Sequence, residues 1–176
     1  MRNLISLCIL MLGAHDRAAK EVTVCDLLRS TSRYNGEMVQ VNGTISTGGG
    51  LWLSERPCDQ PLIVGGHVFP DWIALADPDN RDLSLHRITF RWPEADRSEL
   101  MRFLVPVGGW PDPRVMARNP HGSIRKLRGT VIGLFETRSP LSRLINRFGG
   151  PSGFGDQGEA PAQIIVKRTI NLRTFE

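Results

Sequence analysis

The sequence predicts a mainly β protein with one or two short helices: a small five-stranded Greek-key barrel with its elements in the order β-β-β-α-β-β. Three observations predict it. Met38-Val39-Gln40-Val41-Asn42-Gly43-Thr44-Ile45 alternates apolar and polar residues, with Val39, Val41 and Ile45 on one face. Leu51-Trp52-Leu53 and Trp72-Ile73-Ala74-Leu75-Ala76 follow as short apolar runs. After a helical stretch at about 93–105, two further runs, Leu127 to Phe135 and Gln163 to Ile170, close the chain.

Each element has a local reason. Val22-Thr23-Val24 is short and β-branched, Asp26-Leu27-Leu28 begins one or two helical turns, and Tyr34-Asn35-Gly36 is a turn signal. Gly43 within the first strand suits a bulge or bend at a barrel corner. Gly48-Gly49-Gly50 reads as a hairpin turn, because it lacks the Gly-Lys-Ser ending of a phosphate loop. Ser54 to Pro70 is irregular, and Leu83 to Trp92 carries enough alternation for an extra strand. Pro93 fits the first turn of a helix whose positive end is matched by Glu94 and Asp96, with Leu100, Met101, Phe103 and Leu104 as its apolar stripe. Pro106 and Gly108-Gly109 stop it, and Trp110 to Gly122 reads as loop. The last long insert, at about 138–160, precedes the final strand.

With 176 residues and 40% apolar composition the chain is long enough for one domain with a core. Its 18 glycines and 12 prolines fit a loop-rich β protein better than a helical bundle. The formal charge of +4 is too weak by itself to imply a nucleic-acid partner. Only Lys20, Lys126 and Lys167 of the 22 basic residues are lysines; the arginines suit carboxylate or phosphate recognition, and equally reflect codon usage in a GC-rich genome.

Residues 1–19 read as a signal-peptide-like segment: Met1-Arg2-Asn3, an apolar run Leu4 to Leu12, then small residues at Gly13-Ala14 and Ala18-Ala19. The run is shorter than the roughly 20 residues needed to cross a bilayer, so no transmembrane segment is expected once it is removed. The competing reading is a buried first element of a cytoplasmic protein. On the export reading, residues 20–176 form the single barrel domain, periplasmic or secreted. Two cysteines then remain, Cys25 and Cys58, and an even count in an exported chain favours a disulfide. Its loop would stabilise the fold by roughly 3 to 4.5 kcal/mol in the chain-entropy model; the alternative is two unrelated buried thiols.

The layout resembles the OB fold. Val39-Gln40-Val41-Asn42-Gly43-Thr44-Ile45 is similar to the first strand of many such domains, and Leu127-Arg128-Gly129-Thr130-Val131 has the cadence of a fourth strand. Over about residues 22–170 the chain also resembles a group of uncharacterised, predicted exported bacterial proteins. The cues are Val24 to Leu28, a Tyr-x-Gly before the first strand, and a Phe-Gly-rich segment leading into Pro161 to Val166. That resemblance implies a fold and a location, and no reaction.

Functional candidates are few. Arg114, Arg118, Arg125, Lys126, Arg128, Arg138, Arg143 and Arg147 make 114–147 basic, opposed only by Glu136. Leu141, Leu144, Ile145 and Phe148 recur at helical spacing within it. Three readings compete: an arm for nucleic acid or another polyanion, an amphipathic segment on anionic lipid, or a helix plugging one end of the barrel with solvated arginines. Trp52 and Trp72 are candidates for base stacking or for core. His67, His86, His121 and Asp71 match no metal-ligand spacing, and no cofactor motif, nucleophile elbow or Cys-His pairing is present in the sequence. The expectation is therefore a non-enzymatic extracytoplasmic binding module of OB type; the alternative is a single-stranded nucleic-acid-binding protein using the basic 114–147 segment.

Overall fold

Ten residues, Met38–Thr47, form the strand that organises the molecule in the computed structural model, which describes residues 18–47, 50–79, 84–104, 126–155 and 157–174. The strands are β1 Lys20–Glu21, β2 Met38–Thr47, β3 Leu51–Ser54, β4 Ile63–Val64, β5 His67–Val68, β6 Trp72–Ala76, β7 Lys126–Thr137 and β8 Ala162–Thr174. The helices are α1 Val24–Arg29, α2 Thr31–Tyr34 and α3 Glu94–Leu104, and a 3-10 turn spans Leu141–Leu144.

The sheet order β2-β3-β6-β8-β7 closes on itself through β2–β7 pairing, from Met38 opposite Leu134 to Ser46 opposite Lys126. All pairs are antiparallel except β6–β8, which is parallel, with Ala74 opposite Gln163. This is a closed, five-stranded, OB-like Greek-key barrel, as the element order predicts. β3 pairs with only the second half of β2, from Thr44 on. β1 adds in parallel to the first half, Lys20 opposite Val39, and Val22 N–H reaches Gln40 O at 3.0 Å. Gly43 lies between the two halves. A Cβ there would stand 2.6 Å from the Ser54 carbonyl oxygen, so the bend expected at Gly43 is a place of close backbone approach.

The barrel interior holds Val39, Val41, Ile45, Leu53, Ile73, Leu127, Val131, Phe135 and Ile164. Leu27 and Leu28 of α1 and Leu100 of α3 join the same core. α1 starts with a reciprocal cap: Thr23 Oγ1 accepts from Asp26 N–H at 3.0 Å and donates to Asp26 Oδ2 at 2.7 Å. Those bonds hold the Asp26 carboxyl below the usual range. α3 is fixed to β8, where Thr169 N–H donates to Asp96 Oδ2 at 3.3 Å.

Four expectations are corrected. The alternation of Leu83 to Trp92 makes no strand over the described residues 84–92. Its backbone donors at Leu85 and His86 go to a buried carboxylate, Glu136, instead of a ladder. The irregular stretch from Ser54 to Pro70 contains a hairpin, β4–β5, with Ile63 opposite Val68 across Gly65-Gly66. The spacing of Leu141, Leu144, Ile145 and Phe148 builds no amphipathic helix: only Leu141–Leu144 turns, as 3-10, and Phe148 is 82% exposed. Nor does the insert plug an end of the barrel. Leu144, Phe154 and Ala160 pack with Phe69 and Ala74 as a second small core on the outer side of the β3–β6 wall. Met1–Arg17, Arg114, Arg118, His121 and Arg125 lie outside the described residues, so the signal-like segment and part of the basic stretch have no structural account.

Candidate functional site

The site begins with one row of side chains across the outer wall. Strand register places Ser46 opposite Trp52, Trp52 opposite Ala74, Ala74 opposite Gln163, and Gln163 opposite Glu136. Because side chains alternate across a strand, these residues share the face away from the barrel core. Two segments cover that row. The insert after β7 lays Phe154 and Gly155 over Trp52 and Ala74, and the segment 84–86 folds over Glu136.

Glu136 is fully buried and saturated with donors. Ser84 Oγ donates at 2.7 Å, the backbone N–H groups of Leu85 and His86 at 3.0 and 2.9 Å, and Gln163 Nε2 at 2.8 Å. His86 Nδ1 lies 3.0 Å from the same carboxylate. Burial alone raises the carboxyl pKa; the donors, led by Ser84 and Gln163, outweigh it and hold Glu136 below the usual glutamate range. Ser84 Oγ is engaged by the carboxylate and not by the imidazole, so serine, histidine and glutamate meet without the serine-to-imidazole contact of a nucleophile relay. Their joint effect is to pin a three-residue strap to the barrel wall.

The strap separates two clefts, both lined by Leu85 and Arg138. The larger, about 580 Å³, is built on Trp52, Ala74 and Gln163 and roofed by Phe154 and Gly155. The smaller, about 310 Å³, is bounded by Asn35, His86, Ser139 and Arg143. Arg138 stands between them with its guanidinium 5.4 Å over the Phe154 ring and Nη2 3.5 Å from the Gly153 carbonyl oxygen. Its Nε is buried without a hydrogen-bond partner.

The structure divides the basic candidates. Lys126 and Arg128 are exposed at the start of β7, and Arg173 lies opposite Arg128 on β8. Arg138 and Arg143 meet at the smaller cleft, past the other end of β7. Arg147 is on the exposed tip of the insert, 4.7 Å over the Phe148 ring. Trp52 and Trp72 stand 6.1 Å apart, tilted by 49°; Trp52 is half-buried in the larger cleft and Trp72 is 37% exposed. Cys25 and Cys58 are bonded, joining α1 to the loop after β3. Among the described residues no group of three or more His, Cys, Asp or Glu is placed to hold a metal. His67 packs edge-on against Phe69, and Asp71 accepts the Cys58 N–H at 3.0 Å. Among the described residues no helix is long and apolar enough to cross a membrane.

Sequence reasoning missed Ser84, Leu85 and Gln163 as site residues, weighed His86 only as a metal ligand, and read Glu136 only as an opposing charge. The available signal was Glu136 itself: a lone acid closing the apolar run Val131 to Phe135 is expected to find donors if the strand is buried on both faces. No family model, no curated protein and no solved structure matches this chain, so the strand order and the clefts carry the functional reading by themselves.

Proposed function

We propose that this chain is a non-enzymatic, extracytoplasmic binding module of OB type, built from residues 20–176 after removal of the segment 1–19. Three features support the reading. The Cys25–Cys58 bridge suits an oxidising compartment. The buried carboxylate at the centre of the site is consumed by structural hydrogen bonds, which fits holding better than proton transfer. The observation that carries the proposal is the cleft of about 580 Å³ on the Trp52–Ala74–Gln163 row, inside the size range of small-molecule pockets and lined by an indole, a phenyl ring and one guanidinium.

Two measurements test it. Intact mass of the full-length chain expressed in a bacterial host, with and without reductant and alkylation, is expected to show a shortened chain with no free thiols; an uncut chain with free thiols ends the export half. Ligand-observed NMR with a library of small neutral aromatic fragments is expected to find binders that Trp52→Leu abolishes. If no fragment binds, the pocket reading fails.

A second reading, single-strand nucleic-acid binding, has one specific observation behind it: Lys126, Arg128 and Arg173 are exposed together at one end of the β7–β8 pair. It expects oligonucleotide affinity that falls steeply with salt.

A further inference from the structure

We infer that the smaller cleft is a site for an oxyanion, the phosphate or carboxylate head group of a small molecule whose apolar body occupies the cleft beside Trp52; this rests on the binding-module reading above. Guanidinium groups are ordinarily paired when they are drawn together. Here Arg138 and Arg143 converge on one concavity of about 310 Å³. Among the described residues neither has a carboxylate partner: Arg138 reaches only the Gly153 carbonyl and the Phe154 ring, and its Nε is buried with no partner at all. Two like charges on one cleft, one of them with a buried, unpartnered N–H, are an arrangement that a bound anion would complete.

Two further lining residues, Asn35 and Ser139, carry polar side chains. Asn35 lines the cleft, its amide held by the 2.9 Å bond that Oδ1 accepts from the Thr137 N–H. Ser139 adds an exposed hydroxyl. Glu136, the acid nearest in sequence to Arg138, does not line the cleft and has its oxygens taken by Ser84, Leu85, His86 and Gln163. The cleft therefore offers two forked cations, an amide and a hydroxyl, with no acid among the described residues of its wall. That set recognises an oxyanion and discriminates against cations and neutral heads.

The two clefts share Leu85 and Arg138, so a ligand spanning them passes beside the strap. Its ring or chain would lie against Trp52 and Phe154, and Arg138 would serve both parts, through its plane on Phe154 and through its N–H groups on the anion.

The test is a 15N-amide NMR titration of the oxidised full chain with phenyl phosphate, benzoate, inorganic phosphate and phenol. Phenyl phosphate or benzoate should shift the amides of Asn35, Leu85, His86 and Ser139 together with those of Trp52 and Phe154, and should bind at least about tenfold tighter than phenol. The tighter of the two names the head group. Arg143→Ala, an exposed substitution, should weaken the anionic probe about tenfold or more and leave phenol unchanged. Arg147→Ala should change neither. The inference is overturned if phenol binds as tightly as the anions, if Arg143→Ala has no effect, or if anion shifts spread equally to Lys126, Arg128 and Arg173. In each case phenol shifts at Trp52 leave the binding-module reading standing; the absence of all shifts ends both.

Discussion

Glu136 and Gln163 face each other directly across the β7–β8 ladder, and the Gln163 amide donates to the Glu136 carboxylate at 2.8 Å inside a wall that is buried on both sides. The pair belongs to the outer face of the barrel, where an unassisted carboxylate would lie against solvent. It is buried because Ser84, Leu85 and His86 close over it and supply the remaining donors. The charge thus fixes the segment 84–86 against the barrel wall.

Replacing Glu136 by Gln keeps the shape and puts an NH2 among donors. It is expected to lower the unfolding free energy by about 2–4 kcal/mol and to release the strap, seen as faster hydrogen exchange at the Leu85 and His86 amides. The pH dependence has a definite sign. An unfolded glutamate titrates at about pH 4.3 and the folded Glu136 carboxyl lower, so its stabilisation is present above the unfolded value and is lost as pH falls through the folded pKa. Urea titrations from about pH 6 to about pH 3 should therefore show the gap between wild type and variant narrowing on acidification. A gap that widens contradicts the assignment.

The disulfide spans 33 residues of sequence between α1 and the loop after β3. Cys25→Ser with Cys58→Ser is expected to reduce stability by about 3–4 kcal/mol, largely through the unfolded chain. Denaturant unfolding of the oxidised protein, the reduced protein and the double variant should place the last two together and below the first.

Gly155 has φ +81°, and a Cβ there would clash with the Trp52 ring. Gly155→Ala should displace the indole, cost about 1–3 kcal/mol and shift the tryptophan emission. An unchanged spectrum with unchanged stability would mean that the insert does not lie on the wall as described.

Leu100 is the fully buried residue by which α3 enters the barrel core. Leu100→Ala should cost about 2–5 kcal/mol, with the denaturant midpoint falling and the slope unchanged.

The barrel was legible because its first strand obeys a period of two and because Gly, Pro and Asn mark its turns. β6 and Ile164-Ile165-Val166 of β8 do not alternate, and the structure supplies the reason: Ile73 and Ile164 face the interior while Ala74 and Gln163 lie under the insert and strap. The extra strand expected at 83–92 failed on the same physics. Alternation states which side chains are buried, and cannot distinguish a ladder from a carboxylate as the acceptor of the backbone N–H groups. The insert was misread as a helix because Leu141, Leu144 and Ile145 do share an apolar contact, reached through a single 3-10 turn. The cysteine pair followed from the even count left when Cys8 is set aside with the signal-like segment. The smaller cleft was half visible, since Arg138 and Arg143 stood out by charge, but their joining with Asn35 and His86 depends on contacts across about 50 to 100 positions of sequence that no local pattern encodes.

The insert's place against the barrel decides where the molecule will accept added sequence. Leu144, Phe154 and Ala160 are as much interior as the strands, so extra residues beside them would pry the second core off the wall. Between them Asn146 to Gly149 is exposed, closed at its base by the Asn146 N–H to Gly150 carbonyl bond of 2.9 Å and the Ile145–Pro151 bridge. That four-residue tip is the position for an affinity tag, a fluorophore or a grafted loop, carried outward from the two clefts by a segment already anchored at both ends.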